Sequence, residues 1–303
     1  MQAVNTYLRG GVALQDFEFL SPKTIEEAVS IKAAAGNKAR ALAGGTDVLV
    51  QLKVGRFDID QLIDMKNIPE LNELSFSESD GLTIGAAVPC YKIYEDPTVR
   101  SSYPCIVDSS ELIGSIQIQG RASLGGNVVN SSPSGDSLPS LIALNGSAVI
   151  QGTSGTRSVP LEEFFTGPGR NVMTEDELLV SLNFPAPSKN SGAAFLRFIP
   201  RNEMDIAVAN VASSVTLTAD GKNFESARIS IGAVGPTPYF AKDAGDLLAG
   251  QEVNDENIAK AAEAAKKYAS PITDMRGTIE QRIHLVGVLT KRTLDIAIQR
   301  ARG

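Results

Sequence analysis

The spacing of apolar residues near the N-terminus predicts a small unit of mixed helix and strand. Thr24 to Glu27 has the pattern of a capping box, in which a threonine and a glutamate three residues later satisfy backbone amides at a helix start. Apolar residues at helical spacing follow, and Gly36 is expected to end the helix. Short strands are predicted at Arg40–Ala43 and Gln61–Met65. Residues 16–69 are therefore the first predicted subdomain.

A second subdomain is predicted over residues 70–189. Gly81–Ala86 alternates between polar and apolar positions, which is typical of a half-buried strand. A helix is predicted at Pro104–Ile113, and further short strands at Ala148–Ile150 and Leu179–Phe184.

The proline-rich segment 185–192 is the best candidate for a linker, and residues 190–303 form the last predicted domain. Its predicted strands and helices are Ala193–Ile199, Asn210–Thr218, Ala227–Val234, Glu256–Tyr268 and Ile279–Ala301. Residues 1–15 are expected to be an N-terminal arm.

Two glycine-rich segments, Ala43–Asp47 and Ser123–Asn127, are the most informative part of the chain. Each places a Gly-Gly step between an apolar stretch and a small polar residue. Without Cβ atoms in the way, backbone amides can close on an anion. Two such loops predict a ligand with two phosphates gripped from both sides, which means a dinucleotide.

Other interpretations of these loops stay open. Each could be a tight turn in which glycine supplies a positive φ. Neither matches the Rossmann fingerprint or the P-loop pattern. The first loop does follow a predicted strand and precede a predicted helix, which Thr46 and Asp47 are expected to cap, so its amides could hold a phosphate.

Charge and hydropathy narrow the class of protein. The chain has 303 residues, a net charge of −7 and 43% hydrophobic residues, as expected of an ordinary globular protein. Nucleic acid and anionic membranes bind basic surfaces, so neither is an expected partner. No stretch has the length of a membrane helix, membrane insertion is not expected, and the N-terminus lacks a signal-peptide pattern. We therefore expect a cytoplasmic protein.

The inventory of reactive side chains predicts neither catalytic nor metal-ligating residues. Cys90 and Cys105 are the only cysteines, and His284 is the only histidine. Two thiolates cannot hold an all-cysteine iron–sulfur cluster, and the three side chains do not make a tetrahedral zinc site. Chemistry is therefore expected to be carried by a bound organic cofactor.

The glycine segments and their surroundings resemble a known family. Ala41–Asp47 followed by Leu62–Asp64, and Ser123–Asn127 followed by Ser132–Pro139, are similar to the two flavin-binding segments of the xanthine dehydrogenase and carbon monoxide dehydrogenase family. Further matches occur in the family's order at Glu177–Leu179, Phe184-Pro185, Phe195, Arg201, Asp205–Ala207 and Asp274–Gly277. The chain thus resembles the FAD-carrying medium subunit of the molybdenum hydroxylases.

The resemblance implies a fold and a set of cofactor-binding residues. The fold is α+β: a two-subdomain FAD-binding fold of the vanillyl-alcohol-oxidase (PCMH) type, followed by a C-terminal α+β domain with an antiparallel sheet and helices. The implied FAD-binding residues are Leu42, Ala43, Gly44, Gly45, Thr46, Asp47, Val48, Ser123, Gly125, Gly126, Asn127, Asp136, Leu179 and Arg197.

The family's roles carry over to these positions. The first glycine segment would wrap the pyrophosphate, and the second would close on the phosphates and ribityl chain from the other side. Asp136 would accept hydrogen bonds from FAD hydroxyls, and Leu179 would pack against the isoalloxazine ring. Arg197 would place a positive charge near the pyrimidine edge of the flavin. A solvated strand charge for Arg197 and an ordinary core position for Leu179 stay open.

The resemblance also implies partners. These are a large subunit with a molybdopterin cofactor and a small subunit with two [2Fe–2S] clusters, in a dimer of heterotrimers. The chain would relay electrons from the clusters through FAD to NAD⁺, O₂ or another carrier. Two alternatives stay open: a self-sufficient FAD-dependent oxidoreductase, and a non-catalytic nucleotide-binding scaffold. The resemblance assigns neither the substrate nor the electron acceptor.

Overall fold

The computed structural model describes residues 14–303. The first sheet along this part of the chain has three parallel strands. Its elements are β1 (Glu18–Leu20), α1 (Ile25–Ala35), β2 (Ala39–Leu42), α2 (Val48–Lys53) and β3 (Gln61–Asp64). The strand order is β1-β3-β2, and Leu42 pairs with Asp64 at the carboxyl end of the sheet. The first glycine segment follows β2 directly and lies at this edge of the sheet. The predicted arm, residues 1–15, lies almost wholly outside the described residues.

The predicted start and end of α1 are confirmed. The Glu27 amide donates to Thr24 Oγ1 at 3.2 Å, and the Glu27 carboxylate accepts from the Lys23 amide at 2.8 Å. Gly36 ends the helix with a φ of 54°, in the region that favours glycine.

A five-stranded antiparallel sheet of order β4-β5-β10-β6-β7 forms the middle of the protein. The elements of this region are β4 (Leu74–Ser77), β5 (Gly81–Gly85), α3 (Cys90–Glu95), α4 (Pro97–Ser102), α5 (Pro104–Ser110), α6 (Ile116–Gln119), α7 (Leu124–Asn130), α8 (Leu138–Ala143), β6 (Ser147–Gly152), β7 (Gly155–Pro160), α9 (Leu161–Phe164), β8 (Phe165–Gly167), β9 (Arg170–Asn171) and β10 (Leu178–Phe184). Strands β8 and β9 form a separate small hairpin.

One hydrophobic core joins the first two sheets. Ala28 and Ile63 of the parallel sheet layer belong to the same buried cluster as Ile84, Leu182 and Phe184 of the middle sheet. Because burial of apolar area is the main stabilising contribution, the two sheets hold each other in place.

A four-stranded antiparallel sheet of order β11-β12-β13-β14 forms the C-terminal part. Its elements are β11 (Ser191–Phe198), β12 (Ala209–Leu217), β13 (Phe224–Gly232), β14 (Tyr239–Phe240), α10 (Lys242–Asp246), α11 (Asp255–Lys266) and α12 (Ile279–Arg302). Helix α12 packs on β11 so closely that a Cβ at Gly192 would lie 2.2 Å from the Ala297 carbonyl oxygen. No helix within residues 14–303 combines the length and the apolar character that crossing a membrane requires.

Arginines of the C-terminal part bind acidic groups of the middle part. Arg300 forms two hydrogen bonds to the Asp108 carboxylate, at 2.6 and 2.9 Å. Arg228 pairs with Glu162 and donates to the Ile142 carbonyl oxygen at 3.1 Å. Charge-assisted pairs of this kind fix orientation as well as distance.

Candidate functional site

A cleft of about 440 Å³ lies between the parallel sheet and the middle sheet. Its walls include both glycine segments, the first residues of β10 and the segment before α6. Its volume falls in the range typical of cofactor sites.

The first glycine segment forms a turn between β2 and α2. Gly45 has a φ of 80°, which a residue with a side chain adopts only with strain. Within residues 14–303 the amides of Gly44, Gly45 and Thr46 donate to no other group, so they are available to a ligand. Asp47 precedes α2, but its side chain makes no capping hydrogen bond, so the predicted cap is wrong for Asp47.

The second glycine segment is the start of a helix, whereas the sequence predicted a loop. Ser123 caps α7, because the Gly126 amide donates to Ser123 Oγ at 3.0 Å. Gly125 and Gly126 therefore lie in the first helical turn. Leu124 and Gly125 are buried, and their amides in the first turn of the helix have no hydrogen-bond partner among the described residues.

The glycines serve different purposes. A Cβ at Gly44 would lie 2.0 Å from the Arg121 carbonyl oxygen, so the first segment touches the backbone just before the second segment. A Cβ at Gly125 would lie 2.4 Å from the Ala86 carbonyl oxygen. At Gly126, in contrast, the nearest atom would be Ser123 Oγ at 3.1 Å, and this glycine is exposed to the cleft. The protein's own packing thus requires the first two glycines but not the third.

Apolar side chains line another part of the cleft. Leu179 is only 5% exposed and lines the cleft, together with Ile113, Ile118 and Met65. Flat, apolar walls suit an aromatic ring system, while the polar groups of a site fix its orientation.

Two cleft arginines were not singled out by the sequence. The Arg40 guanidinium stacks on the Phe57 ring, 3.9 Å from its centre, and that of Arg56 lies 5.6 Å from the same ring. Burial and the neighbouring Arg56 charge lower the pKa of Arg40, while the Glu175 charge acts in the opposite direction, and within residues 14–303 Arg40 Nε has no hydrogen-bond partner. Two neighbouring guanidinium groups of this kind favour an anionic ligand in the cleft. A lone arginine on a four-residue strand gives no pattern from which the sequence could have revealed it.

Three predicted residues do not line the cleft. Leu42 is buried below it in a cluster with Leu52 and Leu62. Asp136 and Arg197 form an ion pair with each other at 2.5 Å, and their side chains are 12% and 5% exposed. Their predicted contacts with the cofactor therefore stay predictions.

The Asp136 carboxyl has an unusual pKa. Burial raises it from 3.8 to about 6, although the Arg197 charge and the nearby Asn210 amide act in the opposite direction.

The two cysteines and the histidine do not line the cleft. Cys90 and Cys105 are buried, and burial raises the pKa of each thiol to about 12, so both stay protonated and unreactive. His284 is exposed on α12.

The cleft fits a dinucleotide cofactor on its own geometry. Free amides of the first segment face an open glycine of the second, and Gly126 leaves a space that any side chain would fill. Arg40, Arg56 and an apolar wall adjoin this cradle. The donors suit phosphates and the apolar wall suits a flavin ring.

Comparison with known proteins decides the family. Residues 15–187 match the family described as the FAD binding domain in molybdopterin dehydrogenase. The chain belongs to this family. Residues 194–297 match the CO dehydrogenase flavoprotein C-terminal domain. The predicted molybdenum hydroxylase flavoprotein family and the α+β fold class are thereby confirmed, as is the function of an FAD subunit of multi-subunit molybdenum hydroxylases.

Relatives of this flavoprotein family match almost the whole chain. The putative xanthine dehydrogenase FAD-binding subunit of Escherichia coli (strain K12) is 30% identical over 291 residues, covering 95% of this chain and 99% of the relative. The carbon monoxide dehydrogenase medium chain of Hydrogenophaga pseudoflava is 30% identical over 281 residues, covering 93% and 96%.

Solved structures of the family share the fold. Carbon monoxide dehydrogenase from Hydrogenophaga pseudoflava superposes with a TM-score of 0.90 at 30% identity, covering 95% of this chain and 99% of that one. Quinoline 2-oxidoreductase from Pseudomonas putida 86 gives a TM-score of 0.88 at 26% identity, covering 96% and 100%. The domain boundaries and individual FAD contacts stay predictions.

Proposed function

We propose that this chain relays electrons within a cytoplasmic molybdenum hydroxylase. FAD, when bound, would take electrons from two [2Fe–2S] clusters of a small partner subunit and pass them to an external acceptor. A large partner subunit with a molybdopterin cofactor would oxidise the substrate. We further propose that these subunits form a dimer of heterotrimers.

The observation that supports this function best is the cleft with its paired glycine segments. Gly44 to Thr46 would bind the pyrophosphate through their amides, and the α7 start would bind it from the opposite side. Leu179 would pack against the face of the isoalloxazine ring of FAD. In this proposal the chain itself binds and orients the cofactor and excludes water from it.

One carboxylate of the cleft, Glu177, is a poor proton acceptor, which is what a relay without acid–base chemistry needs. Among the described residues that line the cleft, the titratable ones are Lys32, Arg40, Asp47, Arg56 and Glu177. Arg157 holds Glu177 through two hydrogen bonds, at 2.6 and 2.8 Å, and lowers the pKa of that carboxyl. A carboxylate held in this way is a poor proton acceptor.

The names of the relatives support the partner subunits. They include a xanthine dehydrogenase FAD-binding subunit, carbon monoxide dehydrogenase medium chains and a nicotine 6-hydroxylase medium subunit. This chain matches them over nearly their whole length.

The cofactor assignment is tested with the purified full chain. We expect stoichiometric yellow flavin in the wild type and none in Gly126→Val, because the valine would fill the cradle. Gly120→Val is a matched control: this glycine also has a negative φ and room for a Cβ, but it lies outside the cleft lining. Flavin retained by Gly126→Val would contradict the proposal that Gly126 forms part of the binding site. A colourless wild type would contradict the assignment of FAD as the cofactor.

The assembly is tested separately, by co-purification from the native host. We expect two further chains together with molybdenum and iron. A flavin-loaded chain that is isolated alone and oxidises a substrate without either metal would refute the relay.

A further inference from the structure

Helix α2 leaves much of its apolar surface uncovered. Of its six residues only Leu52 is buried. Val50 is 59% exposed, and Val54, directly after the helix, is 73% exposed. Residues four positions apart are neighbours on a helix surface, so these two valines form one apolar strip. A helix with apolar residues on its outer as well as its inner side is usually covered on both.

This strip continues onto two other elements. Gln51 Nε2 donates to Asn130 Oδ1 at 2.9 Å, so α2 lies against the end of α7. Val129, next to Asn130, is 38% exposed. The hairpin β8–β9 adjoins α2 as well, since a Cβ at Gly169 would lie 2.9 Å from Arg56 Nη2. The three elements therefore form one continuous surface.

The exposed apolar and charged residues of this surface are called the α2–α7 face below. They are Val50, Lys53, Val54, Arg56, Val129 and Arg170.

The charge of the α2–α7 face is opposite to that of the whole chain. Residues 48–57, 124–135 and 165–171 contain no acidic residue, although the chain has 35 acidic and 28 basic residues. None of the three basic side chains of the face forms an ion pair within residues 14–303. The acidic residues that flank α2 do not neutralise them, because Asp47 lines the cleft on the inner side and Asp58 pairs with Lys38 at 2.7 Å. The face is thus both apolar and positively charged.

The α2–α7 face lies directly beside the cofactor cleft. Val48 and Gln51 of α2 and Val129 of α7 line the cleft from the same elements that form the face. Electron transfer weakens steeply with distance, so an electron donor has to dock close to the cofactor. A protein bound to this face would lie next to the cleft without entering it.

The chemistry of the face selects one of the two proposed partner subunits. The thiolates and sulfides of [2Fe–2S] clusters outweigh the charge of their iron ions, so a protein that carries such clusters brings negative charge to its contact surface. A basic face attracts this charge, and an apolar centre with a charged rim is typical of protein interfaces. The large subunit, which oxidises the substrate in the proposed function, needs no place beside the flavin.

We propose that the α2–α7 face is the docking surface for the small iron–sulfur subunit. Its three valines lie at the centre of the contact, and its three basic residues orient the acidic partner during association. This inference rests on the proposed function, because it takes the identity of the partner from it.

Two variants of the full chain test the docking surface. Val54→Glu places a charge in the apolar centre, and Lys53→Glu reverses a charge of the rim; neither residue lines the cleft, so both variants should keep stoichiometric flavin. Each should weaken binding of the purified small subunit by about tenfold or more, the effect expected at a central interface position. Lys53→Glu should also make the association rate less dependent on salt. Titration of the flavin-loaded chain with the small subunit measures both effects.

Ile272→Glu and Lys267→Glu are the matched controls. Ile272 is 71% exposed and Lys267 is exposed, and both lie in the C-terminal part of the chain, outside the α2–α7 face. We expect both controls to bind the small subunit as tightly as the wild type does. Equal losses of affinity in variants and controls would overturn the proposal.

The remaining outcomes separate the docking surface from the proposed function. Unchanged binding of the small subunit by Val54→Glu and Lys53→Glu, with flavin present, would refute the docking surface alone. Loss of the large subunit only, or a wild-type dimer of this chain that Val54→Glu dissociates, would assign the face to another occupant and refute it too. A wild-type chain that binds neither flavin nor an iron–sulfur subunit would refute the proposed function, and the docking surface with it.

Discussion

At the scale of single residues, glycines that look alike in the sequence do different things. Gly44, the first glycine of its Gly-Gly step, packs against the Arg121 backbone, whereas Gly126, the second glycine of its step, opens on the cleft. The Gly-Gly steps indicate that the backbone at these positions lies very close to a neighbouring group. It does not reveal whether the neighbour is protein or ligand, since that depends on contacts between distant parts of the chain.

We therefore expect different effects of alanine at these two positions. Gly44→Ala should destabilise the protein, because the new Cβ has no room beside the Arg121 carbonyl oxygen. Gly126→Ala should change stability little, since the helix preference of alanine, about 1 kcal/mol, offsets the shift of Ser123 Oγ, which would lie 3.1 Å from the new Cβ, and it should weaken FAD binding. Urea unfolding and flavin titration measure the two effects. Equal stabilities of the two variants would contradict this distinction.

The buried Asp136 should give the protein a specific pH dependence. Its folded-state pKa is raised from 3.8 to about 6, so between these pH values the folded state binds more protons than the unfolded state. The contribution of Asp136 to the free energy of unfolding therefore falls as pH rises from about 4 to about 6, and is constant above. Asp136→Asn should remove this part of the pH profile. Superimposable profiles of wild type and variant would exclude the raised pKa.

At the scale of elements, capping residues and the regular spacing of apolar residues predicted the longer helices correctly. The capping box of α1 and the long periods of α11 and α12 gave these helices within a few residues. The start of α7 was misread because glycines predict a turn locally, and only the Ser123 cap reveals the helix. Strand β13 begins at Phe224, before the predicted Ala227, because Phe224 is fully buried.

The Ser123 cap should carry a measurable part of the stability. Ser123→Ala removes the acceptor of the Gly126 amide and should cost about 0.5–2 kcal/mol. Asp47→Ala is the control, because Asp47 occupies the corresponding position before α2 without a capping bond. Chemical denaturation measures both variants. Equal losses would mean that the Ser123 hydroxyl does not act as a cap.

At the scale of the whole molecule, three sheets are joined by two kinds of contact. An apolar core unites the first two, whereas ion pairs such as Asp108–Arg300 contribute to the contact with the third. The sequence predicted each sheet region but not these pairs. Their partners lie far apart in the chain, and no local pattern links position 108 to position 300.

Breaking the Asp108–Arg300 pair should loosen the C-terminal domain. Asp108→Ala removes both arginine bonds and the acceptor of the Phe195 amide, at 3.1 Å. Since both partners are partly exposed, we expect a cost of about 1–3 kcal/mol. Limited proteolysis should then cut the 185–190 connection faster than in the wild type. An unchanged cleavage rate would show that other contacts hold the domains together.

The contact between Gly44 and the Arg121 carbonyl has a consequence for how the protein is loaded. Because the two walls pack against each other at that point, parting them around an elongated coenzyme would first have to break this contact. An elongated coenzyme must then thread in lengthwise, which is slow, or be captured while the polypeptide is still folding. Flavin added to fully folded, empty protein should thus be taken up sluggishly, and transient partial unfolding should accelerate its uptake.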